Sequence, residues 1–187
     1  TPMPKKPSPA KDKSAGLAWK RENGWPRVKP PERDRIEAYC RDYVDFLSRG
    51  KTERECHDLA VELVRAAGFQ SLDATAAEAR LRPGDRLYRS CRGRTLMVVH
   101  VGRRPLADGL HIVGGHIDAP RLDAKPVPLY EDGEMAWLDM HYYGGIKKYQ
   151  WVTLPLALHG VVVKPDGTTV RVVVGEDDSD PVLVITD

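Results

Sequence analysis

The sequence predicts an α/β chain: helices on a mixed sheet in the first half, then a β-rich second half. Three observations predict it. Apolar residues recur at helical spacing in two segments between Pro31 and Gly68. The pattern then changes to short β-branched and aromatic runs separated by Gly/Pro turns. Beyond Pro120 no long amphipathic segment returns, so a boundary is expected near Pro120 to Lys125. The 187 residues leave room for one ordinary domain or two small ones.

The chain opens on a basic, Pro-rich segment. Residues 1–35 hold ten Lys/Arg against four Asp/Glu, although the whole chain carries only +2. So polar a stretch cannot bury enough surface to fold alone, and residues 1–16 are read as a flexible basic arm. A solvated tail is favoured over a nucleic-acid contact. With 41% hydrophobic and 30% charged residues, the chain as a whole is not disordered. No run approaches roughly 18 consecutive apolar residues, so no membrane-spanning helix is expected. The stretch after Thr1 has no apolar core of a secretory signal. Cys40, Cys56 and Cys91 are odd in number and lack C-x-x-C spacing, which fits reduced thiols in a cytoplasmic protein.

The elements follow in order. Ile36, Tyr39, Cys40, Tyr43 and Leu47 lie on one face of a first helix, with Gly50 at its end. Thr52-Glu53-Arg54-Glu55 is a capping-box pattern opening a second helix. Cys56, Leu59, Ala60, Leu63 and Ala67 supply its apolar face, and both faces are read as core. Arg86 to Arg89 and Thr95 to Val101 are expected strands joined by a turn at Cys91-Arg92-Gly93-Arg94. The continuous run Leu96-Met97-Val98-Val99 suggests a strand covered on both faces. Leu110 to Gly114 is read as a third strand. In the second half, Met135 to Tyr143 and Tyr149 to Val163 read as β-rich. Pro165-Asp166-Gly167 is a hairpin turn answered by Thr168 to Val174, and Val182 to Thr186 begins another strand.

The local chemical signal is His116-Ile117-Asp118, after Gly114 and Gly115, at an expected strand end. A His with a carboxylate two residues on can offer one ring nitrogen to a metal while the carboxylate fixes the other. By spacing alone the pattern is weak, and a His capped by a loop Asp is its commoner use. The other histidines read as follows: His57 at the surface, His100, His111 and His159 packed or at strand edges, and His141 a residue that could line a substrate or subunit surface. Glu176 to Asp180 lacks calcium-loop spacing and reads as an acidic turn.

The stretch Val113 to Asp123 resembles the H-x-D-[SA]-P signature of the M18 aminopeptidases, the aspartyl aminopeptidase family of zinc exopeptidases. The likeness continues through Lys125-Pro126, Pro128 to Glu131 and His141 to Trp151, the last resembling the bacterial branch. Upstream, Leu17 to Lys20 and Lys51 to Glu55 also match, so the resemblance covers about residues 17–187. It implies removal of N-terminal residues from peptides at a site with two divalent ions, usually Zn2+. It implies that His116 is a metal ligand, and that Asp118, the candidate catalytic-site carboxylate, orients it. It also implies a large homo-oligomer, commonly a dodecamer.

The domains expected from this resemblance are the arm at 1–16, the N-terminal part of a metallopeptidase catalytic domain at 17–120, and the first part of a β-rich inserted dimerisation or oligomerisation domain at 121–187. The fold is accordingly the first part of a zinc-exopeptidase mixed sheet with flanking helices, then the opening strands of that insertion. The family's bridging Asp, Glu pair, further acidic ligand and last His would follow the region matched here. One His cannot hold catalytic zinc, which takes three protein ligands or more. A companion C-terminal chain of the same precursor, separated by nicking, is therefore expected to complete the site. The alternative reading is a non-catalytic β-rich interaction module with a basic arm.

Overall fold

The computed structural model describes residue 19 and residues 21–74 and 80–186. The basic arm at 1–16, and Leu17, Ala18 and Lys20 of the upstream likeness, lie outside the described residues. The chain forms two compact units, one to Asp42 and one from Tyr43.

In the first unit Trp25–Arg27 makes a single 3₁₀ turn whose Trp25 amide donates to the Asn23 side chain at 3.0 Å. Arg33 lies 5.7 Å over the Trp25 ring, and Glu22 pairs with Arg27. Helix α1 (Pro30–Arg49) starts on two prolines, which cost nothing where helical N–H groups lack partners. It runs on into the second unit. The expected helix is present, but none of its residues is buried. Its apolar face is therefore not core among the described residues. Helical spacing reports that a face can be covered, not that a covering surface is present.

The second unit is built on α2 (Glu53–Ala66). Its capping box is complete: the Thr52 hydroxyl accepts from the Glu55 amide at 3.3 Å, and the Glu55 carboxylate accepts from the Thr52 amide at 3.0 Å. Strands β1 (Gln70–Ser71), β2 (Arg86–Cys91) and β3 (Thr95–His100) form a mixed sheet in that order, β1 parallel and β3 antiparallel to β2. Helix α2 lies on β3, and the core is Cys56, Leu59, Leu87 and Tyr88. Leu87 and Tyr88 are successive residues, so β2 is covered on both faces. The expectation had given that place to β3. There Met97 is 51% and Val98 43% exposed, because among the described residues the apolar run of β3 outlasts what α2 covers.

Two further expectations are corrected. Leu110 to Gly114 forms no strand; Val113 is fully exposed and the segment has no ladder partner among the described residues. An apolar run becomes a strand only when another backbone takes its hydrogen bonds. His57 is buried rather than at the surface. Its ring bonds Ser90 Oγ at 2.8 Å and Asp58 Oδ1 at 2.9 Å, which satisfies both nitrogens.

Past Pro120 the chain forms two hairpins that share no ladder with the first sheet among the described residues. The first pairs β4 (Arg121–Asp132) with β5 (Met135–Tyr143) around Gly133-Glu134. Both turn residues have positive φ, 61° and 63°, as the twist of a two-residue hairpin loop requires. The register shifts between Ala124 and Leu129, where Pro126 and Pro128 offer no N–H to the ladder. A one-turn helix, α3 (Lys148–Trp151), interrupts the stretch expected to be β-rich from Tyr149. The second hairpin pairs β6 (Leu158–Val163) with β7 (Thr169–Val174) across the expected Pro165-Asp166-Gly167 turn. Val182 to Thr186 makes only isolated bridges, Leu183 to Leu156 and Ile185 to Val152.

Glu55 fastens the second hairpin to α2. Its Oε1 accepts from His159 Nδ1 at 2.9 Å and from Arg171 at 3.0 Å, while Oε2 serves the capping box. The other ring nitrogen of His159 meets Glu176 at 2.9 Å. Burial would raise the Glu55 carboxyl, but hydrogen bonds from His159, Thr52 and Arg171 outweigh it and hold the group below its ordinary range.

Candidate metal centre

His116 stands at the end of the extended segment that leads into β4. Its Nδ1 lies 3.0 Å from the backbone oxygen of Asp118 and 3.1 Å from Asp118 Oδ1. Both partners are acceptors, so Nδ1 carries the proton and Nε2 presents its lone pair. The His116 side chain is 84% exposed, and Nε2 makes no hydrogen bond among the described residues. This is the tautomer a zinc-ligating imidazole needs, with its far nitrogen held by a carboxylate. The structure therefore brings together the two residues singled out from the sequence.

It also adds a residue the sequence reading gave no role. Tyr143, the last residue of β5, donates its hydroxyl to Asp118 Oδ2 at 2.7 Å. That bond is the main cause holding the Asp118 carboxyl below its ordinary range, and it pushes the Tyr143 hydroxyl up. The Tyr143 ring lies under the Arg121 guanidinium, 3.8 Å from ring centre to Cζ. Arg121 is itself held by Asp123 at 2.7 Å and by Glu53, in the first turn of α2, at 3.5 Å. Cross-strand pairing of Arg121 with Tyr143 puts the two side by side. The sequence signal was the hairpin register, which Pro126 and Pro128 obscure.

Gly144 adopts φ +70°, the left-handed region that favours glycine, and a Cβ there would meet Pro120 Cα at 3.4 Å, an ordinary van der Waals contact. The end of β5 thus lies close to the His116–Pro120 segment.

These groups line a hollow of about 330 Å3 that includes Glu53, His57, Arg94, His116, Asp118 and Tyr143. Among the described residues no group of three His, Cys, Asp or Glu could hold an ion. The donor chemistry fits a metal as a partial set: one open imidazole nitrogen with its orienting carboxylate. His141 is elsewhere, 4.0 Å from Asp123 Oδ2 and lining a separate hollow with Lys125 and Glu55.

Residues 46–187 match the family model described as Aminopeptidase I zinc metalloprotease (M18). The chain belongs to the M18 family. An M18 relative from Clostridium acetobutylicum, named Probable M18 family aminopeptidase 1, is 46% identical over 167 residues, 89% of this chain and 36% of the relative. The crystal structure of aminopeptidase I from Borrelia burgdorferi B31 superposes with a TM-score of 0.81 at 38% identity, covering 89% of this chain and 40% of that one. At 21% identity and a TM-score of 0.67, the yeast mApe1 dodecamer shares the M18 fold over 82% of this chain and 36% of its own. The mixed α/β fold is thus that of M18 aminopeptidase structures. The chain spans little more than a third of the length of the relatives it matches. Nothing in these likenesses supports the alternative of a non-catalytic interaction module.

Proposed function

We propose that the complete gene product is a zinc-dependent aminopeptidase, with His116 as one metal ligand and Asp118 as the carboxylate that orients it. The observation that carries this is the anchored Nδ1 and open Nε2 of His116 in a chain of the M18 family. When bound, the metal supplies an acidified water and polarises the scissile carbonyl. The chain's own part is to hold one ring nitrogen on Asp118 and leave the other open at the lining of the hollow.

Two ions per site belong to the same proposal, with the remaining ligands coming from a companion C-terminal portion of the same precursor. The domain division at residues 120 and 121 is supported by the separate pairing of β4–β7. Homo-oligomeric assembly, with a dodecamer as the expected form, is supported by the mApe1 dodecamer among the proteins that share this fold. A cytoplasmic setting fits three unpaired thiols and the lack, among the described residues, of a helix long and apolar enough to cross a membrane. Peptides are the proposed substrates.

The test is His116→Ala in the complete gene product, with zinc content and aminopeptidase activity measured together. Both are expected to fall while the fold persists. Full activity at normal zinc content would defeat the assignment.

A further inference from the structure

The hairpin that follows the His-x-Asp segment does more than build a sheet. We infer that Tyr143 is a positioning residue for the metal centre, fixing the Asp118 carboxylate that in turn aims His116. The inference rests on the proposed metal role of His116.

The geometry divides the two carboxylate oxygens between two donors. Oδ2 takes the Tyr143 hydroxyl at 2.7 Å, and Oδ1 takes His116 Nδ1 at 3.1 Å. A carboxylate held at one oxygen only can rotate about its last torsion, which is broad for Asp. Held at both, it has one orientation, and the imidazole ring it anchors has one direction for Nε2. Tyr143 is itself fixed on three sides. Its ring lies beneath Arg121, its backbone is in register with Arg121 across the hairpin, and Gly144 behind it closes on Pro120. Arg121 carries the bracing back to Glu53 on α2. A segment with no strand pairing of its own is thereby held from the hairpin and the helix together. Phosphate or nucleotide chemistry is not required by any of these groups; what they aim is a single nitrogen lone pair.

The experiment uses the complete gene product with Tyr143→Phe, Asp118→Asn and the double variant. Phe keeps the ring and its place under Arg121 and removes only the hydroxyl. Zn2+ affinity is measured by competition with a chromophoric chelator, and the visible spectrum of the Co2+-substituted protein is recorded. Tyr143 acts one step behind the ligand's own partner, so Tyr143→Phe is expected to weaken Zn2+ binding by up to about 10-fold, the low end of the loss expected when the ligand's direct partner is removed. The Co2+ bands should shift, because ligand direction changes. In the Asp118→Asn background the Tyr143→Phe change should add less than about twofold, since both act through one path. A Tyr143→Phe protein with wild-type Zn2+ affinity and Co2+ spectrum overturns the inference, as do effects that multiply in the double variant. The His116→Ala protein separates the two readings. If it keeps its zinc, the metal assignment itself falls. If it loses zinc while Tyr143→Phe does not, only the role of Tyr143 falls.

Discussion

His116 and His159 both sit beside carboxylates, and they do opposite things. His116 is 84% exposed, has one nitrogen tied to Asp118, and leaves the other open. His159 is 10% exposed and spends both nitrogens, on Glu55 and Glu176. A carboxylate partner therefore does not mark a metal ligand. What sets the proposed metal ligand apart is a carboxylate on one nitrogen and no partner on the other among the described residues. The difference shows in what surrounds them. Asp118 serves His116 and Tyr143 at the rim of a hollow, whereas Glu55 is a junction of helix cap, hairpin histidine and Arg171.

The comparison breaks most sharply on alanine substitution. His116→Ala should abolish zinc uptake at its site, whereas His159→Ala should leave zinc content unchanged by atomic absorption. If both variants lose zinc equally, the distinction fails. Next in size, Asp118→Asn keeps the hydrogen-bonding shape but loses the charge. It should lower activity about 10- to 100-fold with the melting temperature nearly unchanged. For His159→Ala the cost moves to stability. Leaving Glu55 and Glu176 without the ring should lower unfolding free energy by about 1–3 kcal/mol in denaturant titration.

The smallest effect is in pH. Glu55 has its carboxyl held low in the folded protein, so its contribution is complete above the ordinary carboxylate value of 4.5. It is lost as pH falls from there through the lowered folded value, where protonation removes the charge that His159 and Arg171 bond. Glu55→Gln should therefore flatten the acid limb of a melting-temperature profile below about pH 4.5. An equally steep limb in that variant would move the acid sensitivity to other carboxylates.

What the sequence made legible was local. The capping box at Thr52 and Glu55, the Cys91–Arg94 turn and the Pro165–Gly167 turn each involve neighbours within a few residues, and each stands as read. His116 and Asp118 were readable for the same reason: the bond between them spans two residues. Illegible features depended on distant partners. His57 has one partner beside it in Asp58, but the other is Ser90 from another element, and nothing near position 57 announces that contact or the burial that comes with it. Leu110 to Gly114 and the α1 stripe have the right periodicity, but their covering surfaces are not among the described residues. Pro126 and Pro128 hid β4, and with it the register that places Tyr143 beside Arg121.

The near touch of Gly144 on Pro120 has one more outcome. The excursion from β4 through β5 leaves and returns at a single point, like a loop of cord pinched at its base. Whatever happens at its far tip, around Gly133 and Glu134, need not move the pinch. Residues added or removed at that tip can reshape the surface it offers to other molecules while the knot at the base, and the imidazole it steadies, keep their place.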